Sequence, residues 1–175
     1  MNPNASIEPD VRLRKLEPDD LSCLYAWEND ASAWLEGDTH NPLSEDDLRA
    51  YIMRTTGDIY QDGQLRLIIT SSRDEQRLAT PMGCVDLYDV DIRNRKVAVA
   101  IYVAPEYRQQ GVAREALLQL KRYVSNILCF RLLYAYVREA NRVSIKLFQS
   151  VGFQCVATLP EWVNEGDVCL LQTTL

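Results

Sequence analysis

The sequence has little of what metal and hydrolytic chemistry requires. His40 is the only histidine among 175 residues, which weakens both a histidine metal cluster and a Ser–His–Asp arrangement. The five cysteines stand singly and their number is odd, which indicates neither a disulfide framework nor a zinc knuckle. We therefore expect no metal, and we expect the cysteines to be small buried residues.

Long apolar runs and an excess of basic residues are also missing. No stretch approaches the roughly 20 apolar residues that cross a bilayer, and residues 1–10 have no signal-peptide core. The net charge of −6 argues against a nucleic-acid surface and mildly favours cationic partners. The sequence predicts one cytoplasmic domain over residues 1–175, long enough to bury roughly 70% of its unfolded surface, without membrane or nucleic-acid partners.

What the sequence does contain is clear hydrophobic periodicity. Apolar stretches typical of strands lie at 11–15, 65–70, 82–90, 97–103, 132–137, 153–159 and 168–173. Helical spacing is found from Pro18 onwards, over 45–54, over 113–128 and over 143–150. Ser44 and Asp47 have the spacing of a capping box, and Gly152 closes the last helix. This order of elements predicts a mixed α/β layer structure.

The most informative segment joins the predicted strand at 97–103 to the helix after it. Ala104, Pro105, Glu106 and Tyr107 form a turn, and the chain then reads Arg108, Gln109, Gln110, Gly111, Val112, Ala113. A helix that begins at a glycine offers several unpaired backbone N–H groups to a phosphate, and the helix dipole adds its positive end. We therefore expect a phosphate-bearing ligand here.

The spacing of Arg108, Gly111 and Ala113 resembles the acyl-coenzyme A loop of the Gcn5-related N-acetyltransferase (GNAT) family. A second segment, Asn141 to Phe153, resembles the closing motif of that family, in which Asn precedes a short helix that ends near Gly and Phe. Two motifs in the right order are far more specific than either alone. Residues 13–30 and the end of the chain resemble the branch that contains ribosomal-protein alanine acetyltransferases and spermidine acetyltransferases.

The resemblance implies a mostly antiparallel mixed sheet with helices on both faces and with the fourth and fifth strands splayed apart. Acetyl-CoA would lie in the splay, with its pantetheine paired to the strand edge and its pyrophosphate on the amides of the helix entrance. The cofactor-binding residues that the resemblance implies are Ile101, Val103, Arg108, Gln109, Gln110, Gly111, Val112, Ala113, Arg114, Asn141, Ser144 and Phe148. The two arginines could instead be a solvated helix end, and Asn141 could be a helix cap.

The sequence departs from the family pattern at both usual proton-transfer positions. Phe148 stands where many relatives have the tyrosine that protonates the departing thiolate, and Ala98 stands where many have a glutamate. The predicted substitutes are Asp86 and Tyr102, and the resemblance implies the backbone N–H of Val103 as the group that stabilises the oxyanion. Tyr88 and Tyr136 are further substitutes for the missing acid. Any of these tyrosines could instead be a packing residue.

The acceptor would bind on the opposite side of the sheet. Candidate contributors are Trp27, Glu28, Asp30, Trp34, Glu36, Asp38 and Glu161, although such residues are also common as core aromatics and solvated acids. The predicted function is acetyl transfer from acetyl-CoA to a primary amine, either a small polyamine-like amine or a protein N-terminus. A non-catalytic acyl-CoA-binding or sensing domain is the alternative, and a structural or interaction protein with this fold is a third reading. Family members are often dimers, so a homodimer is expected.

Overall fold

Seven strands form one sheet, with helices against both of its faces. In this computed structural model, the described residues are 10–30, 41–71, 79–164 and 166–175. The strands are β1 Val11–Lys15, β2 Leu65–Ser71, β3 Pro81–Asp91, β4 Lys96–Val103, β5 Leu132–Arg138, β6 Gln154–Val163 and β7 Gly166–Thr174. Their order in the sheet is β1-β2-β3-β4-β5-β7-β6. Only the central pair, β4 and β5, is parallel, and every other neighbouring pair is antiparallel.

The helices begin and end close to where the periodicity predicts. They are α1 Leu21–Glu28, α2 Glu45–Arg54, α3 Ile59–Asp62, α4 Val112–Asn126 and α5 Arg142–Ser150. The Ser44 hydroxyl accepts from the Asp47 amide, and the Asp47 carboxylate accepts from Ser44 in return, so the predicted capping box is confirmed. The helix predicted from Pro18 starts as a 3₁₀ turn over Pro18–Asp20 and becomes α-helical at Leu21. The short α3 was not predicted.

Alternation along the strands divides the apolar residues between two cores. Leu65, Leu67 and Ile69 of β2 belong to the larger core, which includes the apolar faces of α4 and α5. Ile68, between them in sequence, belongs to a smaller core that includes Leu24 of α1 and residues of α2. The sheet is therefore covered by α4 and α5 on one face and by α1 and α2 on the other. Both faces need cover because successive side chains of a strand point to opposite faces and both sets are apolar here.

The central parallel pair separates after three residues. Lys96, Val97 and Ala98 of β4 pair with Leu132, Leu133 and Tyr134 of β5. Beyond Ala98 and Tyr134, no pairing between these two fully described strands follows, while β5 stays paired with β7 along its whole length. The predicted splay is confirmed. The gap between residues 99–103 of β4 and residues 135–138 of β5 is called the cleft below.

The cysteine prediction is wrong in two respects, because two of the cysteines pair and not all of them are buried. The sulfurs of Cys155 in β6 and Cys169 in β7 lie at disulfide-bonding distance, with their Cα atoms 6.1 Å apart. Because β6 and β7 form an antiparallel hairpin, residues separated by 14 positions in sequence become near neighbours. Cys84 is buried as expected, but Cys129 is exposed.

No helix in the described ranges is long and apolar enough to cross a membrane. No group of three or more His, Cys, Asp or Glu side chains in those same ranges is placed to hold a metal ion.

Candidate functional site

The helix entrance, residues 108–114, presents a row of backbone N–H groups without protein acceptors. Gly111 caps α4 with a left-handed backbone (φ +79°), and Gln109 also has a positive φ of +60°. The positive φ angles of these two residues turn the chain just before α4, so that the N–H groups of residues 109–114 lie at the N-terminal end of the helix. None of the described residues supplies an acceptor to the N–H groups of residues 109–114, and the first hydrogen bond of the helix runs from the Glu115 N–H to the Gly111 carbonyl at 3.1 Å. Such a cluster of free N–H groups at a helix N-terminus suits a phosphate.

The β4 edge faces the cleft with its own backbone groups. Ala104 donates its N–H to Met82 on the β3 side at 2.9 Å. Backbone direction alternates along a strand, so the N–H and C=O groups of Val103 and Ile101 point the other way, into the cleft. An extended amide chain could pair with them as an added strand would.

Arg108 ties the helix entrance to the end of β4. Its Nε donates to the Val103 carbonyl at 2.9 Å, and its guanidinium lies 5.7 Å from the centre of the Tyr102 ring. This places Arg108 at the rim of the cleft. Arg114, in the first turn of α4, is exposed.

Tyr102 connects this rim to α1. Its hydroxyl donates to Asp30 at 3.2 Å, and its ring lies 5.7 Å from the Trp27 ring. Burial of the phenol and the neighbouring Asp30 carboxylate together raise the pKa of Tyr102 above its ordinary value. The phenol is therefore protonated at neutral pH and can donate a proton.

The closing motif forms α5 and its cap. Asn141 accepts from the Ser144 amide at 2.9 Å, which is the geometry of a helix N-cap. The sequence allowed this role as well as a contact with the ligand. Phe148 is only 2% exposed and packs edge-on against Phe153 at 5.0 Å between ring centres. Phe148 has no hydroxyl and cannot protonate a thiolate, so its role in α5 is packing.

A pocket of about 400 Å³ opens on the α1 and α2 face of the sheet. We call it the acceptor pocket. Its charged and aromatic lining consists of Glu28, Asp47, Tyr51, Arg66, Asp86 and Tyr88. Its floor includes Ala100, which lies two residues past Ala98, the last residue of β4 that pairs with β5. The pocket therefore reaches the strand that borders the cleft.

Arg66 lies at the centre of the charges in the acceptor pocket. Its Nε and Nη2 atoms donate to the two oxygens of Asp86 at 2.6 and 2.9 Å, and its Nη1 donates to Glu28 at 2.5 Å. The guanidinium also lies 5.7 Å from the centre of the Tyr51 ring. Burial acts to lower the pKa of Arg66, but the Asp86 and Glu28 carboxylates outweigh it and raise that pKa above its ordinary value.

The structure brings Asp86 and Tyr102 to one face of the sheet. Asp86 lies opposite Ala100, and Tyr102 is two residues further along β4. Asp86 and Tyr102 are therefore diagonal neighbours, with their Cβ atoms roughly 7 Å apart. Ala98 is fully buried, whereas Ala100 is exposed and its small side chain leaves the floor of the pocket open. Tyr136 is exposed on β5 alongside the cleft, and Tyr88 lines the acceptor pocket.

The predicted acceptor residues are only partly brought together. Glu28 lines the acceptor pocket, whereas Trp27 and Asp30 contact Tyr102, which does not line it. Glu161 is exposed on β6, away from these residues in the sheet order. Trp34, Glu36 and Asp38 lie outside the described residues.

Sequence reasoning missed Arg66, Asp47 and Tyr51 as pocket residues. A usable signal existed for Arg66, because it is the only charged residue in β2, and Asp86 is the only charged residue in the first eight residues of β3, 81–88. Lone charges inside two apolar strands need partners. The register places these two residues directly opposite each other.

Together, the splayed parallel pair, the N–H groups at the helix entrance and the pocket on the opposite face define an acyl-CoA-dependent acyltransferase. Residues 10–154 match the family model described as Acetyltransferase (GNAT) domain, so the chain belongs to the GNAT acetyltransferase family. The predicted family and fold class are confirmed. The protein is an N-acetyltransferase that uses acetyl-CoA to acetylate an amine.

Two curated relatives are similar over most of this chain. Spermidine N(1)-acetyltransferase of Escherichia coli strain K12 is 25% identical over 146 residues, which cover 82% of this chain and 72% of the relative. An uncharacterized, SPbeta prophage-derived N-acetyltransferase of Bacillus subtilis, YokL, is 22% identical over 143 residues, with 82% and 75% covered.

A solved structure has the same fold. It is the spermidine N-acetyltransferase from Vibrio cholerae in complex with CoA and spermine, with a TM-score of 0.79, 23% identity, and coverage of 94% of this chain and 95% of that one. A dodecameric structure of spermidine N-acetyltransferase from the same organism gives a TM-score of 0.77 at 22% identity, with 94% of each chain covered.

Proposed function

We propose that the acceptor is a small cationic amine of the polyamine class and that it binds in the acceptor pocket. The observation that carries this proposal is the charge of the pocket lining. Among the described residues of the lining, Glu28, Asp47 and Asp86 contribute three carboxylates and Arg66 one guanidinium, which gives them a formal charge of −2. Tyr51 and Tyr88 add aromatic faces, which suit ammonium groups.

The pocket has the size and position that this proposal requires. Its volume of about 400 Å³ is in the range of small-molecule sites. It reaches β4 at Ala100, beside the cleft, so an amine bound there would lie near the cleft. The curated relative from Escherichia coli strain K12 is named a spermidine N(1)-acetyltransferase, which supports the same class of acceptor.

The residues of the cleft and the helix entrance fit acetyl-CoA, which supplies the acetyl group as a thioester. We propose that the N–H groups of residues 109–114 hold its pyrophosphate and that the β4 edge pairs with its amide arm through Ile101, which leaves the N–H of Val103 for the thioester carbonyl. The supporting observation is that these N–H groups and this strand edge lack a partner strand or acceptor among the described residues. Arg108, Asn141 and Ser144 would border the same arm, whereas Phe148, at 2% exposure, would support α5 by packing and would not contact the arm.

We assign three catalytic roles in this proposal. The Val103 N–H, which points into the cleft, would stabilise negative charge on the reacting carbonyl oxygen. Tyr102, kept protonated by its raised pKa, would donate a proton to the departing sulfur. Asp86 would accept a proton from the amine, because each carboxylate oxygen held by Arg66 keeps a second lone pair.

The experiment is a thiol-release assay with acetyl-CoA and a panel of acceptors. We expect release with spermidine, spermine and putrescine that exceeds release with a peptide bearing a free N-terminus. The matched control is acetylated spermidine, which lacks the reactive primary amine at one end. Faster reaction with the peptide than with every polyamine would contradict the proposal and would favour a protein N-terminus as acceptor.

We also propose that the chain forms a homodimer through β6. This strand lies at the edge of the sheet, and its Val156 and Trp162 side chains are exposed, Trp162 by 62%. An exposed apolar edge strand is a common pairing surface. Light scattering should give a dimer for the wild type and a monomer for Trp162→Glu, and a monomeric wild type would contradict the proposal.

A further inference from the structure

The Arg66 side chain occupies the place that an acceptor ammonium would take. It is buried to 17% side-chain exposure and donates to Asp86 and Glu28 at 2.5 to 2.9 Å. These are the distances at which a bound ammonium would contact the same carboxylates. Two of the three acids of the pocket are therefore already engaged by a cation that belongs to the protein.

We propose that Arg66 is a specificity-determining residue, which sets how many ammonium groups the acceptor pocket binds. With Arg66 in place, the described part of the lining carries a formal charge of −2, and without it that charge is −3 and the hydrogen bonds from Arg66 to Asp86 and Glu28 are lost. This inference rests on the proposed function, because it concerns the amine that the pocket takes. It goes beyond that function in assigning the charge selectivity to one side chain.

The geometry separates this role from simple packing. A residue that only filled space would not need three directed hydrogen bonds to two acids lining the same pocket. Arg14 offers the comparison, because its Nη1 and Nη2 donate to both oxygens of Asp20 at 2.7 Å in a similarly buried pair. Asp20 does not line the acceptor pocket. A selectivity effect should therefore appear at Arg66 and not at Arg14.

The test compares two amines that differ by one ammonium on the same four-carbon chain, putrescine and butylamine. Calorimetry gives the Kd of each, and the Kd of butylamine divided by that of putrescine is called the amine ratio. In Arg66→Met, the amine ratio should rise about tenfold over the wild type, since one unit charge in a partly solvated pocket changes the affinity of a second ammonium by about that much. In Arg66→Lys, which keeps the charge, it should stay within about threefold of the wild type.

A second variant moves the charge in the opposite direction. Asp86→Asn is isosteric and leaves a formal charge of −1, so the amine ratio should fall about tenfold. The double variant Arg66→Met/Asp86→Asn restores −2 and should return the amine ratio to within about threefold of the wild type.

Because Asp86→Asn keeps Arg66, it tests the inference even where Arg66→Met fails to fold, as thermal denaturation would report. Arg14→Met is the control, with stability lowered and the amine ratio unchanged.

The outcomes separate the inference from the proposed function. An amine ratio that is unchanged in both Arg66→Met and Asp86→Asn overturns the role of Arg66, while polyamine acetylation by the wild type would still stand. An equal change in Arg14→Met also overturns it, because the effect would then follow from lost stability. A shifted amine ratio without polyamine acetylation by the wild type supports the role of Arg66 and overturns the proposed function.

Discussion

Among single residues, Tyr102 is the one on which the proposed chemistry most depends, because Phe148 has no hydroxyl and is buried. Replacement of Tyr102 by Phe removes the hydroxyl and keeps the ring beside Trp27. We expect kcat to fall about 10² to 10⁴-fold, the usual loss of a general acid, with KM for the amine little changed. The measurement is steady-state thiol release. Tyr25→Phe, at an exposed position on α1, is the matched control, and a Tyr102→Phe variant within twofold of the wild type would exclude Tyr102 as the acid.

The pH profile gives a second prediction for the same residue. Burial and the Asp30 carboxylate raise the pKa of Tyr102, so the phenol stays protonated up to its ordinary pKa of 10 and beyond. A group with a raised pKa loses its proton only at higher pH, so Tyr102 should cause no loss of kcat between pH 7 and 9. An alkaline decline of kcat with a midpoint below pH 9, absent from Tyr102→Phe, would contradict this account.

Some single residues could be assigned from sequence and others could not. Ser44 and Asp47 form a local pair three positions apart, so their spacing alone predicts the bonds that the structure shows. Arg66 and Asp86 are 20 positions apart, and only the register of β2 and β3 brings them together. The bond from Arg108 to Val103 was missed for another reason, because a side chain that folds back onto its own strand leaves no periodic pattern.

Among the elements, the entrance to α4 carries the proposed pyrophosphate site, and its shape depends on Gly111. A Cβ at φ +79° is strained by about 1 to 2 kcal/mol, and relief of that strain would turn the N–H groups away from their common direction. We expect Gly111→Ala to weaken CoA binding at least tenfold by calorimetry.

Gly63→Ala is the matched control for this change. Gly63 also has a left-handed backbone, with φ +68°, and it ends α3 with open space around its missing Cβ. Both variants should lose similar stability on thermal denaturation, but Gly63→Ala should bind CoA like the wild type. Equal loss of CoA binding in the two variants would mean that the entrance has no special role.

The elements were predictable to different degrees. Strong periodicity and a capping box place α2 at 45–54, where the structure has it. The separation of β4 from β5 follows from the family resemblance and not from the residues themselves, since the apolar runs of both strands continue past Ala98 and Tyr134. The four-residue α3 is too short to show a helical period, so its Asp58 cap and Gly63 end were the only local signals.

At the scale of the whole molecule, the net charge of −6 should assist the capture of a cationic acceptor. Added salt shortens the screening length from about 10 Å at 0.1 M to about 3 Å at 1 M. We expect kcat/KM for spermidine to fall about tenfold over that range and kcat/KM for butylamine to fall less than threefold. Equal declines for the two amines would contradict a role for long-range charge. That residues 1–175 form one domain stays a prediction.

The central claim is that CoA lies in the cleft, along the β4 edge and on the N–H groups of the helix entrance. Amide hydrogen exchange resolved by residue, with and without CoA, tests it most directly. We predict that CoA slows exchange at Ile101, Val103 and residues 109–114 by at least tenfold, while Gly63 and the exposed turn at 92–95 stay unchanged. Unchanged exchange at residues 109–114, with protection elsewhere, would contradict the account.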